Sequence, residues 1–337
     1  MKICQVHPGC GIPVPPPDWG AIEKIVWEFS ENLKKLGHQV DIKYADEIEK
    51  GEYDIVHVHV ANLALNLRDR GIPYIFHHHD HHAYHWGIHN SVYQENRSAI
   101  ASSLTTLLPS KYLIDYFEIP KTQYFSHGVN TKEFYPKEPT FNQNPFSIGP
   151  SYPHDIDEWG YFYFAPKLLM VANNGLANDP TFDRKGFQYG LGLAMMNNLE
   201  ITIAGPSHNK QFFNENLWML SYPKLNLEFD IPNDKLLDLY HQHDVFVHPT
   251  MLEAGHPNLT MLEAAAAGLP IIANWELETD FHGAWRAPRD VFEMNKGLKH
   301  IHENWDWYRE KVKETTDKLS WENRTKELIS IYERYIN

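Results

Sequence analysis

Apolar positions along this chain fall into two kinds of run that take turns. Residues 2–7 and 54–60 and Val245-Phe-Val247 are short and β-rich, Val40, Ile42 and Tyr44 alternate with polar neighbours, and these patterns predict strands. Ile22, Ile25, Val26, Phe29 and Leu33 instead recur at three- and four-residue spacing, which predicts a helix over 21–36 closed by Gly37. The same spacing in Leu259, Leu262, Ala265 and Ala266 predicts a helix stopped by Gly268, with Pro270 unable to extend it. Further strands are expected at 73–80, 167–172 and 199–206, a strand and helix over 101–117, and a helix over 231–240 whose Leu236, Leu239 and Tyr240 read as plain core. The connection 61–72 reads as polar and helix-poor, the stretch after Asn274 as polar, and 320–335 as an amphipathic helix with Trp321, Leu328, Ile331, Tyr332 and Tyr335 on one face. Strands alternating with helices predict an α/β protein with parallel sheets. Residues 138–159, rich in Pro, Asn, Ser and Gly without helical period, read as a linker between domains at 1–145 and 160–319.

Composition narrows the class. A chain of 337 residues is long enough for two well-buried cores. Its net charge of −14 argues against a nucleic-acid partner, since such affinity rests on clustered Lys and Arg. No transmembrane run is present and the first residues read as a strand, not a signal peptide, so a soluble, unexported, cytoplasmic protein is expected, compatible with peripheral membrane contact. Cys4 and Cys10 are too few for a disulfide framework or a zinc site.

The candidate chemistry sits at predicted strand ends. Glu253 lies in the loop leaving the strand at 245–247, and Glu263 on the helix that loop feeds. Ligands of open α/β sheets bind at that edge, where helix N–H groups attract anions and paired carboxylates accept bonds from sugar hydroxyls. An ordinary turn with two solvated glutamates is the competing reading. Six histidines crowd residues 77–85, but strand alternation sends His77 and His79 one way and His78 the other, so the run offers no single metal-ligand face of its own. Asp183-Arg-Lys-Gly-Phe187 places two cations in a loop, and Gly20 opens the first long helix.

In matching order over almost the whole chain, these segments resemble family 4 of the retaining glycosyltransferases, glycosyl transferases group 1, a GT-B family. The resemblance rests on residues 244–273 with Glu263 before its alanines and Gly-Leu-Pro, on His79-Asp80, on Lys185-Gly186, on Gly20-Ala21, and on His127-Gly-Val-Asn130. It implies a GT-B fold, two Rossmann-like domains with parallel sheets facing across a cleft. The N-terminal one would take the acceptor, with the helix at about 320–337 packing back on it, and the C-terminal one the nucleotide-sugar donor. It implies transfer, with retention, from a nucleoside-diphosphate sugar, UDP- or GDP-linked, to a saccharide or other hydroxyl acceptor in glycan or polysaccharide synthesis, without cofactor or metal. Residue by residue, His79 would contact the donor sugar, Lys185 would neutralise the leaving phosphate, and Glu253 would grip the sugar with the segment Gly255, His256, Pro257 and Asn258. Glu263 would bind the donor ribose, with Gly20 and Arg184 at the donor site. The chain also departs from the pattern. Nine residues separate the two glutamates where the family has seven, Asn173-Asn174-Gly175 replaces Gly-Arg, and Ala21 and Asn130 replace a Gly and an Asp. The altered spacing and the missing Gly-Arg keep open a nucleotide-sugar binding protein with a degenerate site, the histidines a metal hydrolase, and the favoured class itself a transferase acting on modified DNA bases, which the acidic balance disfavours.

Overall fold

The computed structural model describes residues 1–9, 11–17, 20–79, 87–137, 166–174, 182–253, 255–274 and 276–336; the expected linker and His81, His82 and His85 lie outside them. The chain divides into two compact units, the first comprising Met1–Gly128, Leu252–Pro257 and Lys318–Asn337, the second Val129–Met251 and Asn258–Asp317.

The first unit holds a six-stranded parallel sheet of β1 (Lys2–Val6), β2 (Gln39–Lys43), β3 (Ile55–Val58), β4 (Ile75–His77), β5 (Thr105–Leu108) and β6 (Thr122–Tyr124), in the order β2-β1-β3-β4-β5-β6. Its helices are α1 (Ala21–Lys35), α2 (Ala61–Asp69), α3 (Ser91–Ser102), α4 (Lys111–Phe117) and, from the far end of the chain, α11 (Trp321–Tyr332). Gly37, at φ +88°, takes the left-handed turn after α1 that a glycine accepts without strain. Strand alternation divides the sheet into two unlike faces. Val6, Val56, Val58, Phe76 and Leu108 pack with Ala64, Leu67, Tyr93, Ile100, Leu113 and Phe117 in an apolar core. The other face carries Gln5, His57 and His77, all fully buried, against Phe29 of α1 and Tyr332 of α11.

The second unit holds β7 (Leu168–Val171), β8 (Ile201–Gly205), β9 (Leu225–Phe229), β10 (Val245–His248), β11 (Ile271–Asn274) and β12 (Ala284–Ala287), parallel, in the order β12-β11-β10-β7-β8-β9. With them go α5 (Phe187–Met196), α6 (Lys210–Glu215), α7 (Leu236–His241), α8 (Leu259–Ala266), α9 (Val291–Glu303) and α10 (Trp305–Lys318). Leu168, Met170, Phe187, Leu191, Ile201, Ile203, Val245, Val247 and Ile272 form its core.

Two stretches read as polar connections are helical. In α2 the apolar residues are spread thinly, yet Ala61, Ala64 and Leu67 fall three apart and are buried. The stretch after Asn274 supplies β12, α9 and α10; α10 is mostly charged and buries only Trp305, Tyr308, Val312, Thr315 and Thr316. Tertiary packing of a narrow stripe stabilises helices whose own pattern is weak.

Candidate functional site

In the second sheet β8 lies on one side of β7 and β10 on the other, so chain connections leave this pair in opposite directions. Such a switch point opens a crevice at the carboxyl edge of parallel strands. The loops that follow β7 and β10 carry the two cations and, through α8, the second glutamate.

The cation loop is held from several directions. Asp183 accepts bonds from the backbone N–H groups of Gly186, Phe187 and Gln188, each at 2.8 Å, so its carboxylate satisfies the orphan donors at the start of α5. Burial pushes this carboxyl above its ordinary pKa, while those three bonds and the nearby Arg289 charge pull it back. Arg289 donates to the carbonyls of Asp183 and Arg184 at 2.7 and 2.8 Å and to that of Pro249 at 2.6 Å, lacing the β7 and β10 loops together. Gly186 sits at φ +78°, and a Cβ there would lie 2.7 Å from the Pro249 carbonyl oxygen, so both conformation and space require glycine. Lys185 and Arg184 are buried as a result. Asn174, which stands where the family pattern has its missing arginine, has a different task. Its side chain accepts from the Lys185 N–H at 3.1 Å and donates to the Phe182 carbonyl at 3.0 Å, fixing the lysine's backbone. Arg184 points back, donating to the Asn173 carbonyl at 3.1 Å.

Glu263 is buried on α8, and Tyr240 donates its hydroxyl to Glu263 Oε2 at 3.1 Å. Burial and the Glu263 charge raise the Tyr240 pKa well above its ordinary value, so the phenol remains a donor. Tyr240 is core, as its pattern predicts, and also orients the glutamate, a role that helical spacing alone does not reveal. Asn258 is the N-cap of α8: its Oδ1 accepts from the Met261 N–H at 3.0 Å, and its Nδ2 lies 2.8 Å from His248 Nε2. Part of the helix start expected to meet an anion is therefore occupied by the chain's own asparagine.

Glu253, Gly255, His256 and Pro257 belong to the first unit by their packing, and all four are buried. Leu252 precedes them at φ +68° and Gly255 follows at φ +81°. A left-handed leucine costs of order 1 kcal/mol. His256 Nδ1 bonds the Glu253 carbonyl at 2.7 Å, while the Glu253 carboxylate is 3.9 Å away, too far for a hydrogen bond. Gly20 opens α1, and a Cβ there would come within 2.9 Å of Pro16 Cβ and 3.0 Å of Glu23 Oε2. Close packing of its own loop accounts for that glycine.

His79 sits just past β4 at the carboxyl edge, in a chain of imidazoles. Its Nδ1 is 3.1 Å from His127 Nε2, its Nε2 is 3.0 Å from His59 Nδ1, and His59 Nε2 is 2.9 Å from Gln5 Oε1. The His127 ring in turn meets that of His256 edge-on, centroids 5.4 Å apart. Burial, reinforced by the neighbouring imidazoles, holds His59, His77 and His79 well below the ordinary histidine pKa. Alternation along β4 holds, with His78 facing Phe117 on the opposite side. Local spacing does not reveal that His59, just past β3, and His127, beyond β6, meet His79, or that Gln5 of β1 meets His59.

No protein-family model matches the chain. A stretch of 148 residues is 26% identical to an uncharacterized glycosyltransferase, MJ1607, of Methanocaldococcus jannaschii; it covers 40% of this chain and 37% of that protein. The structure resembles sucrose-phosphate synthase of Thermosynechococcus elongatus with a TM-score of 0.72 at 14% identity, covering 99% of this chain and 98% of that one. HepE of Anabaena, solved with UDP and glucose, gives 0.67 at 11%, covering 99% of both. AviGT4, a glycosyltransferase of avilamycin A biosynthesis, gives 0.65 at 14%, covering 100% of this chain and 98% of that one. Among the described residues no helix is long and apolar enough to cross a membrane. Two six-stranded parallel sheets with helices, matched over nearly the full length of these structures, are the GT-B fold.

Proposed function

We propose that this chain is a retaining glycosyltransferase of family 4, moving a sugar from a nucleoside-diphosphate donor, UDP- or GDP-linked, to a saccharide or other hydroxyl acceptor. The observation that carries this reading is the buried Lys185, immobilised by Asn174 and by the Arg289-laced loop at the switch point of the second sheet. Departure of a nucleoside diphosphate builds negative charge, and a cation already in place stabilises it without reorganisation. Lys185 supplies that charge, so no divalent metal is needed at the diphosphate. Glu263, aimed by Tyr240, accepts from the donor ribose; Glu253 and the 255–258 segment hold the sugar, and His79 contacts it. The partial likeness to an M. jannaschii glycosyltransferase and the UDP and glucose in the HepE structure point the same way.

Melting of the purified protein with UDP, GDP, ADP and CDP, each with Mg²⁺ and with EDTA, tests the reading. A nucleotide at a hundred times its dissociation constant stabilises by ~2.7 kcal/mol, enough to move the transition visibly. A selective shift that survives EDTA supports a metal-independent donor site, and slow hydrolysis of the matching nucleotide sugar separates a transferase from a mere binder. No shift with any nucleotide, or one that needs metal, overturns it.

A further inference from the structure

The polar face of the first sheet contains more histidine than the proposed transfer uses. His57 and His59 on and just past β3 and His77 at the end of β4 converge within it, and one ring nitrogen from each lies within 4.8 Å of the others. Their ring centroids form a triangle with sides of 4.4, 5.5 and 5.5 Å. His57 and His77 are wholly buried and His59 nearly so. Two of the three have nitrogens that bond nothing among the described residues: both of His77, and Nε2 of His57. A buried unpaired polar nitrogen costs about 1–3 kcal/mol, so protein-only contacts leave this cluster incomplete.

What the cluster lacks, a metal ion supplies. We propose that His57, His59 and His77 bind one divalent transition-metal ion of the zinc class. Neutral imidazole nitrogens suit zinc, cobalt, nickel and copper, whereas magnesium and calcium take oxygen ligands. Metal-bound histidines are held at their other nitrogen by a neighbouring group, and two such groups are present. His57 Nδ1 lies 2.6 Å from the Tyr332 hydroxyl, leaving Nε2 for the metal, and His59 Nε2 lies 2.9 Å from Gln5 Oε1, so that its Nδ1 binds the metal by exchanging its 3.0 Å bond to His79 Nε2 for the ion. Gln5 Nε2 also donates to the Tyr332 hydroxyl at 3.2 Å, so one linked pair braces both ligands. Burial keeps the imidazoles neutral, the form that binds metal. β3, lying beside β4, brings His57 and His59 to the face that carries His77. The ion ties β3 to β4 beneath α11 and serves the fold of the first unit.

The full chain, purified without a histidine tag, stripped with a chelator and reconstituted with Zn²⁺ or Co²⁺, tests this. One equivalent per chain, a raised melting temperature and the visible Co²⁺ spectrum of a low-coordinate nitrogen site are expected. His77→Gln and His57→Gln should each lose the bound equivalent, while His78→Gln, on the opposite face, retains it. Should a variant fail to fold, wild-type stoichiometry and the Co²⁺ spectrum still decide. Sub-stoichiometric uptake by the wild type, or an unchanged equivalent in a folded His77→Gln, overturns the site. Nucleotide-induced melting shifts in EDTA read the donor site separately, so the two proposals fail independently.

Discussion

The two units solve the problem of buried polarity in opposite ways. In the second, the side chains that hold the cation loop take their partners mainly from the backbone: Asp183 takes three N–H groups, Arg289 three carbonyls, Asn174 one of each. In the first, Gln5, His57 and His77 project from strands whose own N–H and C=O groups are committed to the sheet ladder. Polar groups on or just past these strands therefore bond other side chains, as His57 does with Tyr332 and His59 with His79 and Gln5, or go without, as His77 does. A loop-borne site can be complete in itself, whereas a sheet-face site of this kind leaves buried nitrogens unbonded among the described residues.

Acid should expose this contrast most strongly. In metal-free protein His57, pushed down to about 3, and His59, His77 and His79 all have folded pKa values below the free histidine value of 6.5. The unfolded chain then binds protons the folded one refuses. Stability is complete above about pH 6.5 and falls as pH drops, by ~1.4 kcal/mol per pH unit for each such histidine. Urea midpoints between pH 7.5 and 5 should show a steep decline, and His57→Gln a shallower one; a flat profile would break the comparison. In the second unit the sharpest change is Lys185→Ala. Loss of a charge stabiliser in the transition state lowers kcat by about 10²–10³, or ~3–4 kcal/mol, with little change in melting; full turnover in the folded variant would remove Lys185 from its role.

Smaller effects sharpen the same contrast. Tyr240→Phe deletes the hydroxyl that aims Glu263, and should weaken nucleotide binding about tenfold, ~1–1.5 kcal/mol, read by titration calorimetry. His77→Phe should stabilise the chelator-treated protein by ~1 kcal/mol, because it removes unpaired nitrogens and keeps a ring in place. The same substitution should forfeit the stabilisation that metal gives the wild type.

Much of the fold was legible. The apolar period placed α1 and α8, and Gly37 and Gly268, both left-handed, marked their ends. It failed at α2 and α10, whose buried stripes are too narrow to stand out from their polar residues. Within the candidate site Lys185, Glu253 and Glu263 were visible as charged residues in patterned loops and helices. Their supports were not: Arg289 lies 106 residues from Asp183, and Tyr240 23 from Glu263.

The sequence by itself determined the alternation of strands and helices, the places where helices stop, the acidic balance and the chemical identity of the charged groups, because each depends on neighbours a few residues away. Alternation along β4 already turned His78 from His77, but tertiary structure alone decided that β3 lies between β1 and β4, and hence that Gln5, His57, His59 and His77 meet on one face. Strand order in a parallel sheet is set by crossovers many residues long, so local periodicity carries no record of which strands become neighbours.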